Sequence, residues 1–165
     1  MRLFLSLIGV AALAATGWIT WHATERSRQW REFQTLGSKT KPSVVERTRF
    51  LDLSRRFFPD ETFRVCGLTV LDGPEDRRRI LVLFVPTDQG NRQARLHVLD
   101  EDGGRRSSSL IPRGPCGVEC RPAHDRGPWV FDVARLTPAS PTLQPYRLVD
   151  DRPVPVGHQA DPDNE

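Results

Sequence analysis

The chain opens with an uncharged and mostly apolar run that extends from Leu3 to Trp21. An α-helix rises about 1.5 Å per residue, so a helix over this run is as long as the hydrocarbon core of a bilayer is thick, roughly 30 Å. Arginines flank the run on both sides. The pattern therefore predicts a transmembrane anchor over residues 1–22, with residues 3–21 in contact with the membrane.

Two interpretations of this run remain open. Ala12 and Ala14 fit the small-x-small pattern of a signal-peptidase site, which predicts a protein secreted after cleavage near Ala14. Cleavage would leave Trp18 and Trp21 on a free amino terminus, whereas in an uncleaved anchor both indole rings reach the membrane interface that they prefer. We therefore favour a single-pass anchor. The three arginines that follow the run favour a cytoplasmic domain, but the short amino-terminal tail favours insertion like a signal peptide, and we expect an extracytoplasmic domain.

Helical patterns continue after the anchor. Residues 23–36 are charged and lack proline and glycine, and Trp30 and Phe33 are three apart, which places them on one helical face. Gly37 is a natural helix end, so residues 23–42 are predicted to be a juxtamembrane helix and a hinge. Ser43 and Glu46 form a capping box, which predicts a second helix from Val44 to Phe57.

The pattern changes to that of β-strands at Thr62. Gly67 interrupts the alternation of the first strand, which indicates a β-bulge. Residues 80–85 are apolar on both faces, which is typical of a central strand with cover on both sides. Residues 100–104 combine acidic residues with two glycines and predict a hairpin turn. Further strands are expected at 94–98, 105–111, 129–136 and 146–149.

These elements predict an α+β fold: a transmembrane helix that extends into a juxtamembrane helix, a second short helix, and a mainly antiparallel sheet of five to six strands. The small α+β domain is expected over residues 43–151. Residues 112–128 are interpreted as a long loop. Residues 152–165 are proline-rich and polar, which predicts a disordered tail.

Composition excludes one class of function. The chain has 24 basic and 21 acidic residues and a net charge of +3. Its arginines are scattered along several predicted elements rather than gathered on one, so the sequence predicts no nucleic-acid binding. Only Lys39 and Lys41 are lysines. This excess of arginine is typical of a bacterial protein from a GC-rich genome.

The strongest candidate chemistry lies in the predicted loop, at Cys116, Cys120 and His124. Two thiolates and an imidazole could hold zinc or copper, although Glu119 and Asp125, the nearest candidates for a further ligand, complete no familiar pattern. A disulfide between Cys116 and Cys120, and two free thiols, are the alternatives. The disulfide is the favoured one.

No other motif predicts catalysis. The sequence lacks a nucleophile elbow, a phosphate-binding glycine loop and a zinc-protease motif. His97 alternates with apolar neighbours, so we expect it on the polar face of its strand. Cys66 lies in a predicted strand and is interpreted as a small apolar residue.

The sequence therefore predicts a non-catalytic, single-pass, membrane-anchored protein. Its extracytoplasmic domain is expected to contact another protein or the cell envelope. No cofactor and no small-molecule substrate is predicted. The alternative is a thiol or metal protein that uses Cys116, Cys120 and His124.

Overall fold

The computed structural model describes residues 2–88 and 92–156, and the side chains of residues 2–17 and of His124 lie outside that description. The fold of the described part is α+β, with two α-helices and two four-stranded antiparallel sheets. The helices are α1 (Arg2–Gly37) and α2 (Val44–Phe57). The strands are β1 (Arg64–Asp72), β2 (Arg78–Val85), β3 (Gln93–Leu99), β4 (Arg105–Pro112), β5 (Gly117–Pro122), β6 (Val130–Leu136), β7 (Thr142–Val149) and β8 (Arg152–Pro155).

Helix α2 has the predicted bounds, because its start is encoded locally. The Ser43 hydroxyl accepts from the Glu46 backbone N–H at 3.3 Å, and the Glu46 carboxylate accepts from the Ser43 N–H at 2.9 Å. The two bonds satisfy backbone donors that the first turn of a helix leaves free. At the other end, Phe58 is the C-cap and Pro59 follows it, as the sequence predicts.

Helix α1 covers the predicted juxtamembrane segment and ends at Gly37. A Cβ atom on Gly37 would lie 2.7 Å from the Leu68 Cβ, so only glycine allows the helix end to approach β1 this closely. In the described part of the chain, no helix combines the length and the hydropathy needed to cross a membrane. The anchor expected at residues 3–21 is thus not confirmed and remains a prediction.

The first sheet has the order β1-β2-β3-β4 and is buried on both faces. Ile80, Val82 and Phe84 of β2 pack against the helices, whereas Leu81 and Leu83 pack against the second sheet. The prediction of a central strand with cover on both sides is confirmed. The reason is that alternate side chains of a strand point to opposite faces.

The second sheet has the order β5-β6-β7-β8 and packs on the face of the first sheet that the helices leave open. The molecule therefore has three layers, with the helices, the first sheet and the second sheet in that order. Strands β6 and β7 contribute Phe131, Val133, Tyr146 and Leu148 to the core between the sheets.

The predicted single sheet of five to six strands is wrong, because eight strands form two sheets. The predicted loop at 112–128 contains β5, which pairs with β6 from Gly117 to Pro122. The predicted disordered tail begins with β8, which pairs with β7; its residues 157–165 lie outside the described residues. The Val156 N–H donates to the Pro145 carbonyl oxygen at 2.8 Å. Because N–H directions alternate along a strand, the ring nitrogens of Pro153 and Pro155 face away from β7, as an edge strand allows.

The predicted hairpin turn at residues 100–104 is confirmed, and it also holds α1. Gly103 has a φ of 85°, a conformation that glycine adopts without strain. The Trp30 indole N–H donates to the carbonyl oxygen of Glu101 at 2.6 Å. Helix α1 is thus fixed on the tip of the β3–β4 hairpin as well as on α2.

Candidate functional site

The two sheets meet along one edge, where β1 of the first sheet lies beside β5 of the second. The Thr69 hydroxyl donates to the carbonyl oxygen of Cys120 at 2.8 Å and ties the two strands together. Next to this bond a cavity of about 620 Å³ opens below the connection between α1 and α2. Its volume lies within the range of small-molecule sites, roughly 300–1,000 Å³.

The cavity has an apolar floor and a charged rim. Leu81, Leu83 and Val118 of the floor also belong to the core between the sheets. On the rim, Lys39 and Glu119 are each paired with a neighbour of opposite charge. The other rim cations, Arg47 and Arg64, are exposed. The rim is therefore net positive, which favours anions at the mouth of the cavity.

Two of the three cysteines line this cavity, Cys66 from β1 and Cys120 from β5. The β1–β2 register shifts between Val65 and Gly67, so Cys66 is the extra residue of a β-bulge. A bulge re-aims the side chain it carries and leaves that residue outside the ladder. The bulge that Gly67 predicted is confirmed, but its consequence, a Cys66 side chain that lines the same cavity as Cys120, has no signal in the sequence.

The protein around both thiols keeps them protonated at neutral pH. Solvent reaches Cys66 through the mouth of the cavity, but desolvation of the thiolate by the cavity walls raises its pKa to about 12. Burial also raises the pKa of Cys120, and the nearby Cys66 raises it further. A thiol is a poor nucleophile when little thiolate is present, so neither cysteine is poised for rapid nucleophilic catalysis.

The structure does not bring the predicted loop cysteines together. All three cysteines are free thiols in the structure, so the favoured disulfide between Cys116 and Cys120 is not formed. The physical reason is that Cys120 lies in β5 and Cys116 immediately before it. The three strand steps from Gly117 to Cys120 alone span about 10 Å, whereas a disulfide needs Cα atoms within about 7 Å.

The metal interpretation of Cys116, Cys120 and His124 remains a prediction. His124 begins a short 3-10 turn after β5, but its side chain lies outside the described residues. Among the side chains that are described, no three His, Cys, Asp or Glu form a cluster that could hold a metal ion. Metal analysis of the purified protein beside a Cys116→Ser variant tests the interpretation, and equal metal content in both would reject it.

Of the buried polar residues that the structure describes, His97 is the least exposed, and the sequence-based prediction of its position is wrong. His97 was expected on a polar face, yet it is only 2 % exposed. Its Nε2 lies 2.8 Å from a carboxylate oxygen of Glu61, and its ring stacks on Phe58 with an interplanar angle of 3°. The alternation of Arg95 and His97 with apolar residues predicts that this face of β3 is polar and exposed. In the structure, the segment that follows α2 covers this face with Phe58 and Glu61.

Glu61 is the hub of this polar cluster, and no motif in the sequence marks it. Its carboxylate also accepts from the Phe63 backbone N–H at 3.1 Å and from the Arg95 guanidinium at 3.1 Å. Since an ionised carboxylate only accepts, Nε2 of His97 carries the proton. Nδ1 of His97 is then buried without a hydrogen-bond partner.

Burial and hydrogen bonding shift the pKa values of both groups in the cluster. Desolvation lowers the pKa of His97, and the hydrogen bond to Glu61 only partly offsets it. Burial alone would raise the pKa of Glu61, but the hydrogen bonds from Phe63 and His97 and the charge of Arg95 outweigh it and hold the pKa below its ordinary value. At neutral pH the cluster therefore contains a carboxylate, a guanidinium and a neutral imidazole.

This arrangement fastens the connection between α2 and β1 to the first sheet. Neither Glu61 nor His97 lines either of the described cavities, so a substrate has no described route to the imidazole. A buried carboxylate that accepts from a backbone N–H, a histidine and an arginine fixes one conformation of the segment. We assign the cluster a structural role.

The cluster predicts that acid destabilises the domain. The folded-state pKa of His97 lies below the unfolded value of about 6.5, so the unfolded chain binds this proton more readily and stability falls as pH falls below that value. Glu61 stays ionised between pH 7.5 and 5.5. His97 is therefore the group of this cluster that makes stability depend on pH in that range. We expect a lower Tm at pH 5.5 than at pH 7.5, and a smaller difference in His97→Gln. A matched variant, His22→Gln on an exposed turn of α1, should keep the wild-type difference, and equal differences in all three proteins would contradict the assignment.

Comparison with known proteins returns no relative. No protein-family model matches the chain, and no curated protein and no solved structure is similar to it.

Proposed function

We propose that the chain is a single-pass membrane-anchored protein whose small extracytoplasmic domain is non-catalytic and contacts another protein or the cell envelope. The observation that carries this proposal is the exposure of apolar side chains on the part of α1 that precedes the domain. Trp18, Ile19 and Trp21 are 65 %, 64 % and 58 % exposed. These side chains contribute nothing to either core of the domain.

Among the side chains of α1 that the structure describes, those that pack on the domain lie in the last third of the helix. Helix α1 has 36 residues, which corresponds to a length of about 54 Å. Of its described side chains, those of Trp30 and Phe33 are buried, and Leu36 packs against the same core. Residues 18–24, which precede this packed part of α1, are all exposed. A helix that carries exposed tryptophans at this point suits a membrane interface, where indole rings are enriched.

The aromatic side chains at this level of the helix contact one another. The ring centroids of Trp18 and His22 lie 4.4 Å apart, and those of Trp21 and His22 lie 4.9 Å apart. Exposed apolar patches on soluble surfaces usually mark contact with a membrane or a partner. The continuous apolar run that precedes these residues in the sequence favours a membrane.

A non-catalytic domain is supported by what the polar residues do. Glu61, Arg95 and His97 hold one segment of the fold and lie away from both described cavities. The two cavity thiols carry raised pKa values. Neither set combines a nucleophile with a base and a route for substrate, which covalent or acid–base catalysis requires.

Membrane fractionation of two double variants tests the anchor. Each arginine at the centre of a membrane helix costs about 3 kcal/mol of insertion free energy. We expect wild-type protein to sediment with membranes after alkaline carbonate extraction and to enter the supernatant only with detergent. Ile8→Arg with Leu13→Arg should move most of the protein to the carbonate supernatant.

The matched control places the same charges on exposed positions of the domain. Val45 and Leu143 are 78 % and 52 % exposed, so Val45→Arg with Leu143→Arg should fractionate like the wild type. Wild-type protein in the carbonate supernatant would refute the anchor. The intact mass of the membrane-bound protein separates the two interpretations of the run, because cleavage near Ala14 would remove the first residues.

The exposed thiol of Cys116 provides the test of orientation. A membrane-impermeant maleimide added to intact cells should label Cys116 if the domain is extracytoplasmic, and a Cys116→Ser variant gives the background. Labelling that requires cell lysis would place the domain on the cytoplasmic side.

A further inference from the structure

We propose that Cys66 and Cys120 form a disulfide that joins the two sheets at their shared edge, with a low-molecular-weight disulfide as the electron acceptor. This inference is independent of the proposed membrane anchor, because it concerns only the domain. It also differs from the disulfide that the sequence favoured, since Cys120 takes a partner from the other sheet.

The fold brings these two cysteines to one place. Both line the cavity between β1 and β5. The Thr69 hydroxyl donates to the Cys120 carbonyl oxygen at 2.8 Å and holds β1 against β5. Cys66 is also close enough to raise the pKa of Cys120. Cys120 packs at the edge of the core between the sheets. The remaining cysteine, Cys116, is exposed and lies outside the cavity lining.

The local backbone can adjust to the bond. Cys66 is the unpaired residue of the β1 bulge, so its backbone can shift without loss of a paired ladder residue. The cavity provides space on the side toward Cys120, and Gly67 has no atom within 4 Å of where its Cβ would lie. The cavity therefore leaves room for the Cys66 side chain to turn toward Cys120.

The chemistry is a pair of thiol–disulfide exchanges. The Cys66 thiol, which solvent reaches, loses its proton to water, and the thiolate attacks one sulfur of oxidised glutathione. One glutathione leaves as a thiolate and takes up a proton. The Cys120 thiolate then attacks the Cys66 sulfur of the mixed disulfide and releases the second glutathione. The protein loses two electrons and two protons, and oxidised glutathione gains both.

The raised thiol pKa values set the rate of the reaction. The thiolate fraction of Cys66 increases about tenfold per pH unit while the pH stays well below the pKa. The charged groups around this thiol are Arg64 and Arg113, which favour the thiolate, and Glu119, which opposes it. We therefore expect bond formation to be slow at pH 7 and roughly ten times faster at pH 8.

The bond should stabilise the domain strongly because it closes a long loop. The closed loop contains about 55 residues, and a crosslink of this length restricts the unfolded chain enough to raise Tm by roughly 10 °C. The oxidised protein should therefore unfold at a higher temperature than the reduced protein, and reduction by dithiothreitol should reverse the change.

The test uses the full chain in detergent micelles, in a Cys116→Ser background. The protein is incubated with oxidised glutathione at pH 8, then alkylated, digested without reduction and analysed by mass spectrometry. We expect a peptide pair linked through Cys66 and Cys120 in most of the protein, and an intact mass lower by two hydrogens. Adding Cys66→Ser or Cys120→Ser should abolish both signals and the Tm increase.

The remaining results would overturn the proposal. Stable glutathione adducts on Cys66 or Cys120 without a crosslink would show that the two sulfurs do not meet. A crosslink that forms equally fast in urea would show that the fold does not bring them together. In the protein that retains Cys116, a disulfide that forms mainly between Cys116 and Cys66 or Cys120 would also contradict the proposed Cys66–Cys120 bond.

Discussion

Replacing Phe33 by alanine is expected to lower the free energy of unfolding by about 4 kcal/mol, because removal of a fully buried aromatic side chain leaves a cavity that the surroundings fill only in part. Phe33 is 0 % exposed. Whole domains are stable by roughly 5–15 kcal/mol, so this single change should remove a large part of the total.

Phe33 has this effect because it joins three elements. Its ring stacks on Phe50 of α2 with centroids 4.7 Å apart and on Trp30 of α1 at 5.4 Å. It also lies 6.1 Å from the ring of Phe58, which stacks on His97 of β3. The substitution should therefore loosen the attachment of α1 to the domain as well as reduce stability.

Urea denaturation of the full chain in micelles, followed by circular dichroism, measures the effect. The matched control is Trp21→Ala, because Trp21 is an aromatic residue on the same helix that is exposed. The control should change the free energy of unfolding by less than about 0.5 kcal/mol. A loss of less than about 1 kcal/mol in Phe33→Ala would mean that α1 is not docked through this ring.

The sequence predicted the parts of the fold that depend on short-range chemistry. The start of α2 could be predicted because Ser43 and Glu46 satisfy each other's backbone donors three residues apart. The β1 bulge at Gly67 and the hairpin turn at Gly103 are likewise local. The two-sided burial of β2 could be predicted because both sets of alternate side chains are apolar.

The sequence did not predict what depends on distant partners. Strand β5 was interpreted as a loop because only Val118 and Cys120 face the core, and the alternation is too short to stand out from the glycine and proline around it. The burial of His97 depends on Phe58 and Glu61, which are more than thirty residues away. The approach of Cys66 to Cys120 depends on the packing of two separate sheets, which no local pattern encodes.

The second large effect is expected at Glu61, the residue that no motif marks. Glu61→Ala removes the carboxylate that pairs with Arg95 and His97, so a buried imidazole and a half-buried guanidinium lose their partner. Breaking a buried charge pair costs roughly 3–5 kcal/mol. Because the Arg95 side chain is 34 % exposed and water can solvate it in part, we expect a loss near the lower end, about 3 kcal/mol.

Two further variants separate charge from packing at this site. Glu61→Gln keeps the size of the side chain and an acceptor for the Phe63 N–H but removes the charge, so it should cost less than Glu61→Ala. Glu119→Ala makes the same chemical change in an exposed ion pair, where the Glu119 and Arg121 side chains are 49 % and 55 % exposed. Surface pairs of this kind contribute at most about 1 kcal/mol. If Glu61→Ala and Glu119→Ala lower the free energy of unfolding equally, the polar cluster does not hold the segment between α2 and β1. A clearly larger loss in Glu61→Ala would identify the cluster as the contact that attaches this segment to the first sheet.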